Sequence, residues 1–67
     1  MAFLRRMSVL DNGLNLAVST SLTESESLAL ACKAKEMGVH LTFRGAHFLP
    51  YLNKIVEIGY KDITFDC

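Results

Sequence analysis

The two cysteines are the residues with the greatest potential for redox chemistry in this chain of 67 residues. A thiol redox site needs a cysteine of low pKa near a helix start, usually with a second cysteine close by in a Cys-x-x-Cys arrangement. Cys32 instead lies in the middle of a predicted helix among apolar neighbours, which is typical of a small core residue. Cys67 has no companion nearby in the sequence. The cysteines therefore predict neither a redox centre nor the dense disulfide framework of a small secreted protein.

A metal centre or a nucleophilic triad would have to combine the cysteines or serines with the histidines. The possible zinc ligands lack the short ligand pairs that make zinc motifs specific. They are Cys32, His40, His47 and Cys67. A Ser, a His and an Asp can be chosen in most small proteins, and no nucleophile-elbow pattern supports such a choice here. We therefore expect no metal, no cofactor and no enzymatic activity.

Polar side chains that follow the predicted strands are better candidates for binding, because ligands favour the carboxyl ends of the strands in open parallel sheets. Free N–H groups at the start of the first predicted helix could hold an anion beside Arg44. Alternatively, Ser21 and Thr23 cap that helix and Arg44 pairs with a surface carboxylate. Tyrosine and arginine are also favoured in protein interfaces. The candidate binding residues are Ser19, Ser21, Thr23, Arg44, His47 and Tyr51.

The amino-terminal part of the chain predicts a β-hairpin. Asn12-Gly13 lies between two apolar runs, and both residues tolerate the positive φ that tight hairpins require. We expect a first strand over residues 3–10 and a second strand over 14–19. The alternative for residues 3–10 is a frayed amino-terminal arm.

The rest of the chain predicts two helices and two further strands. Capping-box patterns start at Ser21 and Thr23, and Gly38 supplies a left-handed stop for the first helix. Residues 39–43 alternate as a strand does. Pro50 suits the first position of a second helix, which Gly59 ends and whose predicted buried side is Leu52, Ile55, Val56 and Ile58. Residues 61–67 alternate again and predict the last strand.

This order of elements predicts an α/β fold with a parallel βαβαβ sheet in a single domain, residues 1–67. The layers number two or three, and residues 3–10 could add an antiparallel edge strand. Exposed strand edges recruit partners, so we also expect self-association, with a homodimer as the simplest form.

The composition limits which kinds of molecule we expect this chain to bind. The chain has seven basic and seven acidic residues, so it lacks the positive charge that drives sequence-independent nucleic-acid binding. No apolar run approaches the ~20 residues that span a bilayer, and the start of the chain does not have the pattern of a secretory signal. We expect a cytoplasmic protein whose partner is another protein or protein complex.

Several short segments together resemble the F-type conjugative pilin-assembly family, which has a thioredoxin-like fold. They are Val18-Ser19-Thr20-Ser21-Leu22-Thr23, the helix to Gly38, Leu41-Thr42-Phe43-Arg44-Gly45 and Ile63-Thr64-Phe65-Asp66. The similarity covers roughly residues 14–66. It departs from the family at Thr23 and Cys67, where the family tends to have proline, and in lacking the terminal hairpin and helix. The resemblance implies a non-enzymatic role in a conjugation apparatus, and in the periplasm if an export signal is missing.

Three functions compete on these grounds. The first is a protein-binding module related to pilin assembly. The second is a small inhibitor from a mobile element, for example an anti-CRISPR protein that occludes a nuclease or its guide complex. The departures from the pilin-assembly family favour either this inhibitor or a fragment of a larger domain. A thiol-redox or other small enzyme is the third and the least favoured.

Overall fold

The fold contains three α-helices, one 3₁₀ helix and three strands in a computed structural model that describes residues 2–66. In chain order they are α1 (Ala2–Asp11), β1 (Leu16–Val18), α2 (Glu24–Met37), β2 (Leu41–Arg44), the 3₁₀ helix (Ala46–Tyr51), α3 (Leu52–Glu57) and β3 (Ile63–Asp66). Predictions that involve Met1 and Cys67 lie outside the described residues.

The three strands form one parallel sheet in the order β1–β2–β3. Leu16 lies opposite Leu41, which lies opposite Ile63, and Val18, Phe43 and Phe65 form the next row of the same parity. The predicted α/β class and its parallel three-stranded sheet are therefore confirmed.

All the helices cover the same face of the sheet. Side chains of alternating residues point to opposite faces of a strand, and in β2 Leu41 and Phe43 are fully buried whereas Thr42 and Arg44 are not. Leu30, Phe48 and Ile55, from α2, the 3₁₀ helix and α3, join them in one core cluster. The domain therefore has two layers, one of helices and one of sheet.

Helix α2 begins and ends where its capping residues predict. The Thr23 hydroxyl accepts a hydrogen bond from the Glu26 N–H at 3.2 Å, and the Glu26 carboxylate accepts one from the Thr23 N–H at 3.1 Å, which is a complete capping box. Gly38 ends the helix with φ of 68°. Of the two predicted capping boxes, the one that starts at Thr23 is formed.

The predicted first strand over residues 3–10 is wrong, and so is the alternative of a frayed arm: this segment belongs to helix α1. Asn12-Gly13 does not form a hairpin but ends α1. The Leu14 N–H bonds to the Val9 C=O and the Gly13 N–H to the Leu10 C=O, which is the Schellman pattern with Gly13 at φ of 76°. The left-handed glycine that a hairpin needs serves a helix end equally well, because both require positive φ.

The apolar spacing in this segment also fits a helix better than a strand. Phe3, Met7 and Leu10 lie four and then three residues apart, and all three contact the core. Lys33 of α2 holds the end of α1 through the Asp11 carboxylate at 2.8 Å. Helix α1 is thus packed on α2 as part of the helical layer.

Three smaller predictions also need correction. Cys32 is exposed rather than in the core, because the buried positions of α2 follow the spacing of one helix face, at Ser27, Leu30, Ala31 and Ala34. Pro50 lies inside the 3₁₀ helix that precedes α3, so helical structure begins earlier than expected. Val56 of α3 is 62% exposed instead of buried.

Comparison of Leu10→Ala with Leu4→Ala tests the helical assignment of α1. These positions would share a face in a strand, since they are an even number of residues apart, but they lie on different sides of a helix. Leu10 is fully buried and Leu4 is 60% exposed. We expect Leu10→Ala to lower the free energy of unfolding by about 2–5 kcal/mol and Leu4→Ala by less than about 0.5 kcal/mol, measured by urea denaturation. Equal losses would contradict the helix.

Candidate functional site: the open face of the sheet

One face of the sheet is covered by no helix among residues 2–66, and it is the most distinctive surface of the domain. We call it the open face, and it consists of Ala17, His40, Thr42, Arg44, Asp62, Thr64 and Asp66. His40 and Thr42 are half-buried and the others are exposed. The open face is therefore a polar platform three strands wide.

Small side chains occupy the middle of the open face. Ala17, Thr42 and Thr64 lie opposite one another in a single row across β1, β2 and β3. No long side chain rises from this row, and another element can therefore approach the backbone closely there. The longer, charged side chains lie at the two ends of the strands.

At the amino-terminal end of the strands, His40 connects β2 to β3. Its Nδ1 lies 3.4 Å from the Asp62 carboxylate and its Nε2 lies 2.9 Å from the Thr64 hydroxyl. A carboxylate only accepts hydrogen bonds, so Nδ1 carries the proton, and in neutral His40 Nε2 accepts from the Thr64 hydroxyl. The His40 N–H also donates to the Asn15 side-chain oxygen at 2.9 Å. Both ring nitrogens of His40 therefore have hydrogen-bond partners on β3 or the residue before it.

In this Asp–His–Thr chain, Asp62, His40 and Thr64 follow one another in the same order of groups as a hydrolytic triad. In a triad the histidine removes the hydroxyl proton, and separate N–H donors stabilise the resulting oxyanion. The Asp62 and Asp66 C=O groups both accept hydrogen bonds from β2 and its end, so the alternating backbone also turns the Thr64 N–H towards β2. That N–H is engaged in the sheet. We interpret the three side chains as a polar connection between strands.

The carboxyl-terminal end of the strands holds two of the predicted binding residues, Ser19 and Arg44. Arg44 and Asp66 lie opposite each other, with 3.9 Å between Nε and the carboxylate, and both are exposed. Ser19 is exposed and directly follows Val18, the partner of Phe43. The structure thus brings Ser19, Arg44 and Asp66 to one edge, and the pairing of Arg44 with a surface carboxylate is confirmed.

The start of α2 is occupied by the protein's own acidic side chains. Thr23 is engaged in the capping box with Glu26, and Glu24 forms an ion pair with Lys54 of α3. Two carboxylates in the first turn already complement the positive end of the helix. The capping role of Thr23 is confirmed, and Ser21 is exposed in the loop before it.

His47 and Tyr51 belong to the helical side of the molecule rather than to the open face. The His47 ring packs against Phe48 with 4.4 Å between ring centroids, and it lies over Gly45, where a Cβ atom would come within 2.6 Å of the ring. Gly45 also has φ of 112°. Tyr51 is half-buried against the core. The six predicted binding residues therefore do not form a single cluster.

Arg6 contacts the loop after β1, and the sequence alone does not predict this contact. It donates to the Thr20 hydroxyl at 3.0 Å, so it ties α1 to the loop after β1. The expectation of a strand over residues 3–10 hid this contact. The helical spacing of the apolar residues in that segment was the signal that could have revealed it.

A second surface feature, which we call the edge groove, runs between α3 and the outer edge of β3. It has a volume of about 420 Å³ and is lined by Ile55, Val56, Gly59, Tyr60, Lys61, Ile63 and Phe65. The Tyr60 hydroxyl donates to the Val39 C=O at 2.7 Å, which fixes one wall of the groove to the start of β2.

Clusters of metal-ligating side chains and membrane-spanning helices are both absent from residues 2–66. No group of three or more His, Cys, Asp or Glu side chains in that range could hold a metal ion. None of the described helices has the length and apolar character needed to cross a bilayer.

The chain was compared with protein-family models, curated proteins and solved structures, and none of them matched.

Tyr60 predicts a loss of stability at alkaline pH. Burial raises the pKa of its phenol, and the negative charge of Asp62 raises it further. Because the folded-state pKa is above the ordinary value of about 10, the contribution to stability is complete below that pH and is lost as the pH rises through the folded-state pKa. We expect Tyr60→Phe to unfold at a lower temperature near neutral pH but to lose less stability between about pH 9 and 11 than the unmodified chain. Thermal denaturation measures both, and Tyr51→Phe is the control. Equal pH slopes for the unmodified chain and Tyr60→Phe would contradict the assignment.

Reaction with an activated ester tests the interpretation of the Asp–His–Thr chain. We expect p-nitrophenyl acetate to acetylate Thr64 no faster than Thr42, which lies in the same row without a histidine contact. Peptide mass spectrometry of the treated protein gives both rates. Acetylation of Thr64 about a hundredfold faster than Thr42, abolished by His40→Gln, would show general-base catalysis.

Proposed function

We propose that this domain is a non-catalytic protein-binding module whose open face receives an α-helix of another protein. The observation that carries the proposal is the parallel sheet with helices on one face only. Parallel sheets are nearly always covered by helices on both faces, whereas here Ala17, Thr64 and the ends of the strands are exposed. A helix from a partner would complete the three-layer arrangement that parallel sheets usually have.

The chemistry of the open face indicates what kind of helix fits. The central row of Ala17, Thr42 and Thr64 allows close approach and offers hydroxyl groups, which favours a helix face of small or uncharged residues. Charges of both signs lie at the ends of the strands, where Arg44 and Asp66 are exposed. They would set the orientation of the partner more than its affinity.

The resemblance to conjugative pilin-assembly proteins suggests the setting in which such a partner is found. It supports the proposal that the partner is a component of a conjugation apparatus. That the fold is thioredoxin-like is a separate proposal. It has to be consistent with a sheet of three parallel strands that lie side by side in sequence order. The mobile-element inhibitor remains the alternative, and the two differ in the partner that binds.

Binding assays with Thr42→Arg test the open face as the docking surface. Thr42 lies in the central strand between Ala17 and Thr64, so an arginine there would rise from the middle of the platform and block close approach. We expect at least about a tenfold loss of affinity for the partner. Asn53→Arg is the matched control. Asn53 is exposed on α3, so this substitution adds the same charge on the helical side of the domain. We expect its affinity to stay within about twofold.

The partners offered in this assay are purified assembly proteins of an F-type conjugation apparatus, measured by calorimetry. Circular dichroism of both variants checks that they fold. Binding that Thr42→Arg weakens and Asn53→Arg does not would support the proposal. Equal weakening would place the partner elsewhere on the domain. Binding of none of the assembly proteins, with stoichiometric capture of a CRISPR effector complex instead, would favour the inhibitor.

A further inference from the structure

The outer edge of β3 carries main-chain groups that pair with no strand among the described residues. The Leu41 N–H donates to the Asp62 C=O at 3.1 Å and the Gly45 N–H to the Asp66 C=O at 2.8 Å, so these carbonyls point towards β2. Because successive residues of a strand alternate in direction, the N–H and C=O groups of Ile63 and Phe65 point outward. They lie at the free edge of a sheet whose last strand is β3.

This edge has only some of the devices that usually prevent strand pairing. Natural edge strands are kept short, carry lysine or proline, or are covered by another element. β3 has four residues and ends in the charged Asp66, and Lys61 lies two residues before the strand. The strand itself contains no lysine or proline, and no other element covers its outer edge among residues 2–66. The other edge strand, β1, has three residues and packs against α1. β3 is therefore the edge more open to a further strand.

The edge groove adds an apolar surface beside this edge. Val56 is 62% exposed at the groove, and Ile63 and Phe65 are half-buried there. The helix-facing side chains of β3 are thus only partly covered by the domain's own helices. A strand added at the edge would bring its own side chains into the groove.

The geometry points to a second copy of this chain as that strand, paired antiparallel with β3 about a two-fold axis at Ile63. Ile63 then lies opposite Ile63 of the second copy, Lys61 opposite Phe65, and Asp62 opposite Thr64. Residues directly opposite share a face of the sheet, so the apolar positions of both copies meet at the groove and the polar ones on the open face. The outward groups of the two copies form about six main-chain hydrogen bonds.

Charge disfavours the register with its axis at Thr64 and permits self-association. A two-fold axis at Thr64 would place Asp62 opposite Asp66 of the second copy, twice over, and like charges directly opposite are destabilising. With the axis at Ile63 no like charges lie opposite, and the stem and charge of Lys61 lie across the Phe65 ring. The chain also has equal numbers of basic and acidic residues, so no net charge opposes its self-association.

Sedimentation equilibrium of the full chain, with Ile63→Lys as the test variant, examines the dimer. We expect twice the mass of the chain at high concentration, and Ile63→Lys should raise the dissociation constant at least about tenfold, because it places two like charges at the axis. Leu14→Lys is the matched control: Leu14 is 57% exposed just before β1, and its replacement should leave the dimer unchanged. A monomer at every concentration, or an equal effect of the two variants, would overturn the proposal.

Disulfide trapping tests the register with exposed residues and does not depend on how well Ile63→Lys folds. In a background with Cys32→Ser and Cys67→Ser, Asp62→Cys and Thr64→Cys are mixed and oxidised mildly. The proposed register brings these two positions to about 4.5 Å between Cα atoms, so the mixed disulfide should dominate. A disulfide between two copies of Thr64→Cys would indicate a two-fold axis at Thr64. A mixed disulfide between Thr64→Cys and Asp66→Cys would indicate an axis at Phe65. Dominance of either product would overturn the proposed register.

The dimer and the proposed partner binding can fail separately. Ile63→Lys changes the edge of the sheet, and Thr42→Arg changes its open face. Thr42→Arg should leave the sedimentation behaviour unchanged, since Thr42 belongs to the central strand. If Thr42→Arg dissociated the dimer and Ile63→Lys did not, the second copy would occupy the open face instead, which would overturn the edge pairing.

Discussion

The two-residue alternation of β2 is the constraint on which the rest of the structure depends. Leu41 and Phe43 point into the core, and the Phe43 ring contacts Phe48 and Phe65 with 4.8 and 5.3 Å between ring centroids. Since β2 is the central strand, these two side chains determine which face the helices cover. The intervening Thr42 and the flanking His40 and Arg44 are thereby directed to the open face. A slip of one residue would exchange the two faces completely.

Much of this arrangement could be predicted from the sequence because it depends on local signals. The capping box at Thr23, the stop at Gly38 and the alternation of residues 39–43 act over a few residues and do not require knowledge of distant contacts. The amino-terminal helix was missed for the opposite reason. Asn12-Gly13 satisfies both a hairpin and a Schellman helix end, and only packing against α2 and β1 decides between them.

The candidate site was harder to predict than the fold. The alternation of residues 39–43 and 61–67 places His40, Thr42 and Thr64 opposite the apolar side chains of their strands. It does not reveal that the described helices all lie on the other side of the sheet. Only the covering of one face leaves these residues as a surface. The binding residues predicted at the carboxyl ends of the strands lie in two separate places, which the sequence also does not reveal. Ser19 follows β1 and Arg44 ends β2, so both lie at the carboxyl-terminal end of the strands. His47 and Tyr51 lie on a 3₁₀ helix that turns back over the core.

The sequential order of the strands has a consequence for how the chain acquires its structure. Each strand lies beside the one that precedes it, so no segment has to thread between two that are already paired. The unit of β1, α2 and β2 pairs two strands that follow each other in the chain with one helix between them. β3 is synthesised after β1 and β2 and docks on the edge of β2. Assembly can therefore proceed in the direction of translation, from the amino-terminal helix towards Asp66.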